Sequence, residues 1–576
     1  MGERQAENTE TVSQLRKTAI RSAVVSGAFS LIVAGLLLVN YLQIKVFDPV
    51  RAERLELLKV NIIERPGDEQ LLSEIRQLDL KIRRDRIGRQ NLSHSGGLLL
   101  LGGVLIFLVS AKIAASCTKV VPQPRASLEE RAVQLRQAKL ARRAMLGGLA
   151  ILLVGTVVLT LRPKKDFAKI ESRGSSFASV EELGRNWPRF RGPGGLGVST
   201  HTNIPLGFDV AEGGSVLWKT QIPLPGYNSP IVWEYLVFLS GAQRDRREVY
   251  CFDAGSGELL WTGEVPSSGP SSGGVEPMED TGFAASTMAT DGRRVFAIFA
   301  SGDIAAFSFD GERLWAKNLG TPDSLYGYAT SLEVYRNLVL IQYDHGAAEE
   351  SKSRLIALDG FSGRTVWEIK RPVPGSWTSP IVADTPQGPQ LITCADPLVI
   401  AYDPQNGREL WQARCLGADV APSPIFAGGL VFAVNSNVEL VAIKVDGSGN
   451  VSKTHIAWRA EDGIPDICSP VSDGEFVFLL TSDYAKLTCY RISDGTKLWQ
   501  QDFEESFNAS PSLVGGLLYL LAADGTMIVA QAGTEYREQA RSELGDTCRA
   551  SPAFADGRIF IRGEQNLYCI GNAQVE

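Results

Sequence analysis

Histidine is nearly missing from this 576-residue sequence: four occur, at positions 94, 201, 345 and 455, with no metal-ligating spacing between them. The eight cysteines include no adjacent pair and no C-x-x-C, hence no C-x-x-C-H for haem attachment. No Gly-rich stretch continues into Lys-Ser or Lys-Thr. The segment "PSSGPSSGG" (266–274) lies between no strand and helix and reads as a flexible insertion over the second repeat unit. Structural zinc, attached haem and phosphate-loop chemistry are excluded by these absences.

Charge is present but unevenly divided. Residues 1–173 hold 28 Lys and Arg against 16 Asp and Glu, which leaves the remainder with 30 against 49. A negative charge of that size disfavours nucleic acid as a partner of the C-terminal part. The basic part carries three uncharged apolar runs, about 22–44, 90–111 and 144–161. At ~1.5 Å rise per residue each is long enough to cross a hydrocarbon core of roughly 30 Å, so three transmembrane helices are expected. Between the first two runs, Leu71, Leu72, Ile75, Leu78 and Ile82 share one helical face and Pro66-Gly67 breaks the preceding pattern, which predicts a helical hairpin. Lys and Arg are shared almost evenly between the two sides of these runs, so the positive-inside rule leaves sidedness open.

The acidic part repeats one phrase. "FDAGSGELLW" ends at Trp261, "SFDGERLW" at Trp315, "LDGFSGRTVW" at Trp367, "YDPQNGRELW" at Trp411 and "YRISDGTKLW" at Trp499. The whole unit, "SPVSDGEFVFLLTSDYAKLTCYRISDGTKLW" (469–499), is four alternating apolar strands with Gly turns between them. Unit starts fall at Ser229, Ser286, Ser331, Ser379, Ser423, Ser469, Ser510 and Ser551. The predicted fold is all-β: an eight-bladed β-propeller of four-stranded blades, preceded by an α-helical region. The last unit has three strands and "GGSVLWKT" (213–220) has no unit before it, so the ring should close by pairing the two. Domains are therefore 1–173 for the membrane anchor, 174–212 for a linker and lead-in segment, and 213–576 for the propeller. Each Trp should wedge against the neighbouring blade, with Gly giving its hairpin a positive φ. Cys251, Cys489 and Cys569 occupy one place in the repeat, where a small buried residue fits a strand.

The A-x-D-x-x-x-G-x-x-x-W phrase, the Ser-Pro strand starts and the lead-in "NWPRFRGPGGLGVS" (186–199) resemble the pyrroloquinoline-quinone (PQQ) type β-propeller repeat. That superfamily includes quinoprotein alcohol and sugar dehydrogenases and the lipoprotein subunit of the outer-membrane β-barrel assembly machine. The version with three N-terminal spans looks like membrane-anchored propellers of environmental bacteria. This implies a bacterial inner-membrane anchor with a periplasmic propeller and a protein partner at the envelope.

The resemblance implies two functions. In a dehydrogenase, PQQ and Ca²⁺ would sit at the propeller mouth, and the residues just upstream of each unit start should line it. Those are Tyr227, Asn228, Glu279, Asp280, Tyr326, Tyr328, Trp377, Asp419, Asp466, Phe507, Asn508 and Arg549. Cofactor contacts would fall to Tyr227, Asn228, Tyr328, Trp377, Asn508 and Arg549, and Ca²⁺ to Glu279 and Asp280. The catalytic base would be Asp280, Asp419 or Asp466. The adjacent cysteine pair that such alcohol dehydrogenases carry beneath the quinone is missing. The sequence thus reads as a non-catalytic protein- or ligand-binding scaffold, with the PQQ- and Ca²⁺-dependent dehydrogenase of alcohols or sugars as the alternative.

Overall fold

The computed structural model describes residues 18–37, 100–116, 177–208, 215–266, 276–482 and 485–572. The chain forms two compact units, Met1–Gly174 and Ser175–Glu576.

In the first unit the described residues form two helices, Thr18–Leu37 and Leu100–Ser116, of which Thr18–Leu37 alone is long and apolar enough to cross a membrane. The expected three transmembrane helices are therefore not borne out among the described residues: the first helix begins four residues before the expected run, and the second is short of a full span and continues through the charged Lys112. Their contacts run antiparallel. The Ser110 hydroxyl donates to that of Ser22 at 3.1 Å, and a Cβ on Gly103 would lie 2.5 Å from Ser30 Oγ. Small residues at the seam let two apolar helices approach closely, while Val25 and Leu31 face outward. The third run, 144–161, and the hairpin between 45 and 89 lie outside the described residues.

The second unit is a ring of eight sheets. Blades 1 to 7 span residues 231–264, 289–318, 333–370, 381–414, 425–460, 471–502 and 512–543. Blade 8 combines residues 553–571 with Val216–Gln221, which pairs antiparallel with Asn566–Gly571 and closes the ring as the repeat count requires. A blade is sandwiched between two others, so its middle strands are apolar on both faces. Leu236–Ala242 and Arg247–Asp253 are buried at every position, whereas the outermost strand, Leu259–Glu264, meets solvent on alternate residues.

The repeated phrase is explained by what meets across blades. Trp218, Trp261, Trp315, Trp367 and Trp458 each lie over the turn Gly of the following blade. A Cβ on Gly257, Gly311, Gly363, Gly407 or Gly495 would stand 2.6–2.8 Å from the overhanging ring. These glycines also have φ near +70 to +80°, so both the turn and the indole forbid a side chain. Most indoles are anchored as well: Trp218, Trp261 and Trp315 donate to Ala254, Phe309 and Gly360 carbonyls at 2.9 Å.

The same register gives the cysteines a role. Every Trp of the phrase faces a small residue on the third strand: Cys251 opposite Trp261, Cys489 opposite Trp499, Cys569 opposite Trp218, and Ala306, Ala357, Ala401 and Ala442 opposite the rest. In blade 7 the sizes are exchanged, with Val529 opposite Ala540. Cysteine thus serves as a small apolar partner that leaves room for the indole. All seven propeller cysteines are buried, and burial pushes the Cys489 and Cys569 thiols up to about 12. We expect Cys489→Ala to be close to neutral and Cys489→Leu to cost about 1–3 kcal/mol by overpacking against Trp499, read from urea unfolding. None of the seven should react with a thiol reagent until the propeller unfolds, and rapid labelling of the native protein would contradict this packing.

Candidate functional site

The lead-in segment does more than connect. It threads the central channel and touches the inner strand of every blade. Trp187 exchanges two backbone hydrogen bonds with Val232 of blade 1 and stacks edge-on against Phe554 of blade 8 at 5.4 Å. The Pro188 carbonyl accepts from Thr290 of blade 2, and Arg189 is ion-paired with Glu333 of blade 3. A Cβ on Gly195 would lie 3.1 Å from Ile381 of blade 4, and Leu196 packs on the Ile425 cluster of blade 5. Arg191 donates to the Pro470 carbonyl before blade 6, and Val198–Ser199 pairs parallel with Leu513 and Val514 of blade 7. Arg189 and Arg191 are fully enclosed, and burial pushes them down to about 10 and about 9.

Phe190 forms the floor of what remains of the channel, a mouth cavity of about 180 Å³. Two rings build its wall. The deeper ring consists of hydroxyls, one per blade: Ser229, Thr287, Ser331, Ser379, Ser423, Ser469, Ser510 and Ser551. In seven consecutive steps from Ser229 to Ser551 the backbone N–H of one donates to the hydroxyl of the next at 2.9–3.1 Å. This is why the unit opens on Ser. The Pro that follows in six units is tolerated because the innermost strand is a sheet edge that needs no donor towards the channel. The unit start expected at Ser286 is corrected by one residue: Thr287 occupies the ring, while the Ser286 hydroxyl donates to the Tyr328 carbonyl.

The upper ring lies two residues upstream, because side chains in extended backbone return to the same side every second position. Its members are Tyr227, Ala285, Ala329, Trp377, Ala421, Ile467, Asn508 and Arg549. Of the sequence-predicted residues it brings together Tyr227, Trp377, Asn508 and Arg549, with Tyr326 standing edge-on behind Trp377 at 5.1 Å. The Arg549 guanidinium lies over the Tyr227 ring at 4.9 Å and 3.5 Å from Asp280, an exposed pair that solvent screens.

The other predicted residues fall off the ring because their offset is not two. Asn228, one residue before Ser229, points the opposite way and is fully buried. Its amide donates to the Ser240 and Ala284 carbonyls at 2.8 Å and accepts from Arg562 at 2.7 Å. Tyr328, three before Ser331, stacks on Tyr343 in the core, where burial pushes its hydroxyl far up. Phe507 is likewise a core side chain. Glu279, Asp280 and Asp419 are exposed, and Asp466 is half-buried and accepts from the Ser482 hydroxyl. No Asp or Glu lines the mouth cavity. Among the described residues no group of three His, Cys, Asp or Glu is placed to hold a metal ion. As a set, one cation, one amide, two aromatics, three alanines and an isoleucine do not fit PQQ with Ca²⁺, which needs a carboxylate ligand for the ion and a second carboxylate as base. Sequence reasoning missed Phe190, Ala285, Ala329, Ala421 and Ile467; stepping back two residues from each Ser or Thr would have found the last four.

A family described as outer membrane protein assembly factor BamB matches residues 210–329, 323–479 and 450–537, more than half of the chain. A tetrathionate hydrolase of Acidithiobacillus ferrooxidans is 22% identical over 237 residues, 40% of this chain. The match covers 46% of that protein, so the chain spans less than half the length of this curated relative. Among solved structures, a quinohemoprotein alcohol dehydrogenase from Pseudomonas putida HK5 superposes with a TM-score of 0.50 at 13% identity, covering 69% of this chain and 81% of that one. BamB from Moraxella catarrhalis gives a TM-score of 0.46 at 13% identity over 62% of this chain and 99% of its own. At such identities the structural likeness concerns the fold.

Proposed function

Given that the chain belongs to the PQQ-type repeat family described as outer membrane protein assembly factor BamB, we propose that it is a membrane-anchored, non-catalytic scaffold that binds a protein or ligand at the cell envelope. The observation that carries this reading is the upper ring of the mouth. It takes a side chain from every blade and includes no acid, so it offers neither an anionic ligand for Ca²⁺ nor a general base. Its aromatic, apolar and single cationic side chains are of the kind that anchor a partner surface. The plug beneath them makes the mouth a shallow dish and not a tunnel.

In this reading the apolar helix Thr18–Leu37 crosses the inner membrane, and the propeller stands in the periplasm. Twenty residues of helix give about 30 Å, which matches the hydrocarbon thickness. The test of the scaffold reading is calorimetric titration of the full chain in detergent micelles with PQQ and Ca²⁺, followed by dye-linked oxidation of an alcohol and sugar panel. We expect no Ca²⁺-dependent heat and no oxidation. Ca²⁺-dependent binding that disappears in Trp377→Ala would replace the scaffold by a quinoprotein dehydrogenase.

A further inference from the structure

Beside the mouth, between blades 8 and 1, lies a second cavity of about 260 Å³, lined by Gly226, Tyr227, Thr547, Arg549, Arg562 and Glu564 among others. Arg562 is 2% exposed, at the end of the second strand of blade 8. Its Nη1 donates to Asn228 Oδ1 at 2.7 Å and to the Ser240 carbonyl at 2.8 Å. Its Nε and Nη2 have no hydrogen-bond partner. Among the other buried arginines, Arg247 is matched by Asp303, Arg371 by Asp344 and, at the plug, Arg189 by Glu333, while Arg191 of the plug is held by the Leu196 and Pro470 carbonyls. For Arg562 no carboxylate of the described residues is within ion-pair distance.

The geometry points to an oxyanion-binding site in this cavity, in which the Nε–Nη2 edge of Arg562 takes the two oxygens of a carboxylate or phosphate group. Those two donors form one side of the planar fork and match such a group bidentately. The plane is fixed from behind, because Asn228 is itself clamped by Ser240 and Ala284. Gly226 keeps the edge clear: a Cβ there would stand 2.9 Å from Nη2. At the lip Arg549, stacked on Tyr227 and 3.5 Å from the exposed Asp280, adds a second cation that Asp280 partly offsets, and the exposed Glu564 is the one acid in the lining. A buried cation without a counter-charge is costly, which a bound anion relieves. Burial, opposed by Tyr250 and Tyr227, pushes the guanidinium down to about 9, still charged at neutral pH. The volume suits a small anion and not a drug-sized ligand. This site is independent of the scaffold reading and would stand if the mouth proved catalytic.

The experiment is calorimetric titration of the full chain in micelles with sodium acetate and, separately, inorganic phosphate, each against sodium chloride at matched ionic strength. We expect saturable binding of at least one probe and a rise in Tm with its concentration. Tighter acetate would identify a carboxylate ligand, tighter phosphate a phosphoryl one. Arg562→Lys retains charge but not the fork and should weaken binding about tenfold or more. Gly226→Ala, which leaves Arg562 intact, should weaken it as well and decides the matter if the lysine variant does not melt cooperatively. Absence of saturable binding by either anion, or equal affinity in the wild type and a folded Gly226→Ala, overturns the assignment.

Discussion

Replacing Asp344 by Ala should lower the stability of the propeller by about 3–5 kcal/mol, the cost of leaving a buried charge without its partner. Asp344 follows the second strand of blade 3, Arg371 follows the fourth, and both side chains are 0% exposed. One carboxylate oxygen accepts from Arg371, from Gln342 at 2.8 Å and from Ser376 at 2.9 Å. Arg371 in turn donates to Thr393 of blade 4 at 2.9 Å, so the pair fastens two blades together. Burial pushes the carboxyl up and the guanidinium pulls it back, so the pair persists only while both members are present. Asp344→Asn preserves the shape and should still lose most of this stability, because it is the charge that Arg371 needs. Asp344→Leu combined with Arg371→Met should recover much of the loss. Urea unfolding followed by circular dichroism separates these outcomes. A fully stable Asp344→Ala would mean that water reaches the pair.

Trp218→Ala should cost a similar amount, about 3–5 kcal/mol, through loss of a large buried ring and the cavity left behind. The residue is 8% exposed, tilted against Phe560 at 6.0 Å, and its indole caps the Gly257 turn of blade 1. Its position in the ring adds a consequence that Trp458→Ala would not share. Trp218 lies on Val216–Gln221, the strand that joins the two ends of the propeller, so its loss loosens the closure itself. Proteolysis of the Trp218→Ala variant should therefore begin between blades 8 and 1, whereas Trp458→Ala should destabilise without that bias. Identical cleavage patterns in the two variants would show that the closing strand is no weaker than any other.

Much of this architecture was written locally. The Gly turns, the alternating strands and the Leu-Trp endings act over spans of ten residues, and each blade is a meander of near neighbours, so eight units and a shared last blade could be counted. The small residue facing each Trp was half visible in the recurring cysteines, though only the register of the third and fourth strands gives the reason. Of the three spans expected from length only Thr18–Leu37 has membrane-crossing length and hydropathy among the described residues, and its antiparallel contact with Leu100–Ser116 through Ser22, Gly27 and Gly103 depends on packing.

The mouth was legible in principle and misread in part. Tyr227, Trp377, Asn508 and Arg549 obey the two-residue step back from the hydroxyl ring; Asp466 and Tyr328 miss it by one residue, which turns a side chain from the channel into the core or the rim, and Asp419 misses it by two and lies exposed beyond the ring. Insertion of residues 266–280 hid the true start of the second unit, so Glu279 and Asp280 are not part of the wall, although Asp280 reaches Arg549 at 3.5 Å from outside it. What no local pattern could supply is the path of residues 186–199 through the channel, or an arginine of blade 8 held by an asparagine of blade 1. Those contacts join positions hundreds of residues apart, and only the closed ring brings them together. The sequence alone determined the repeat, the turn chemistry and the ring. Tertiary structure decided which side chains face the axis, because that depends on strand register and closure.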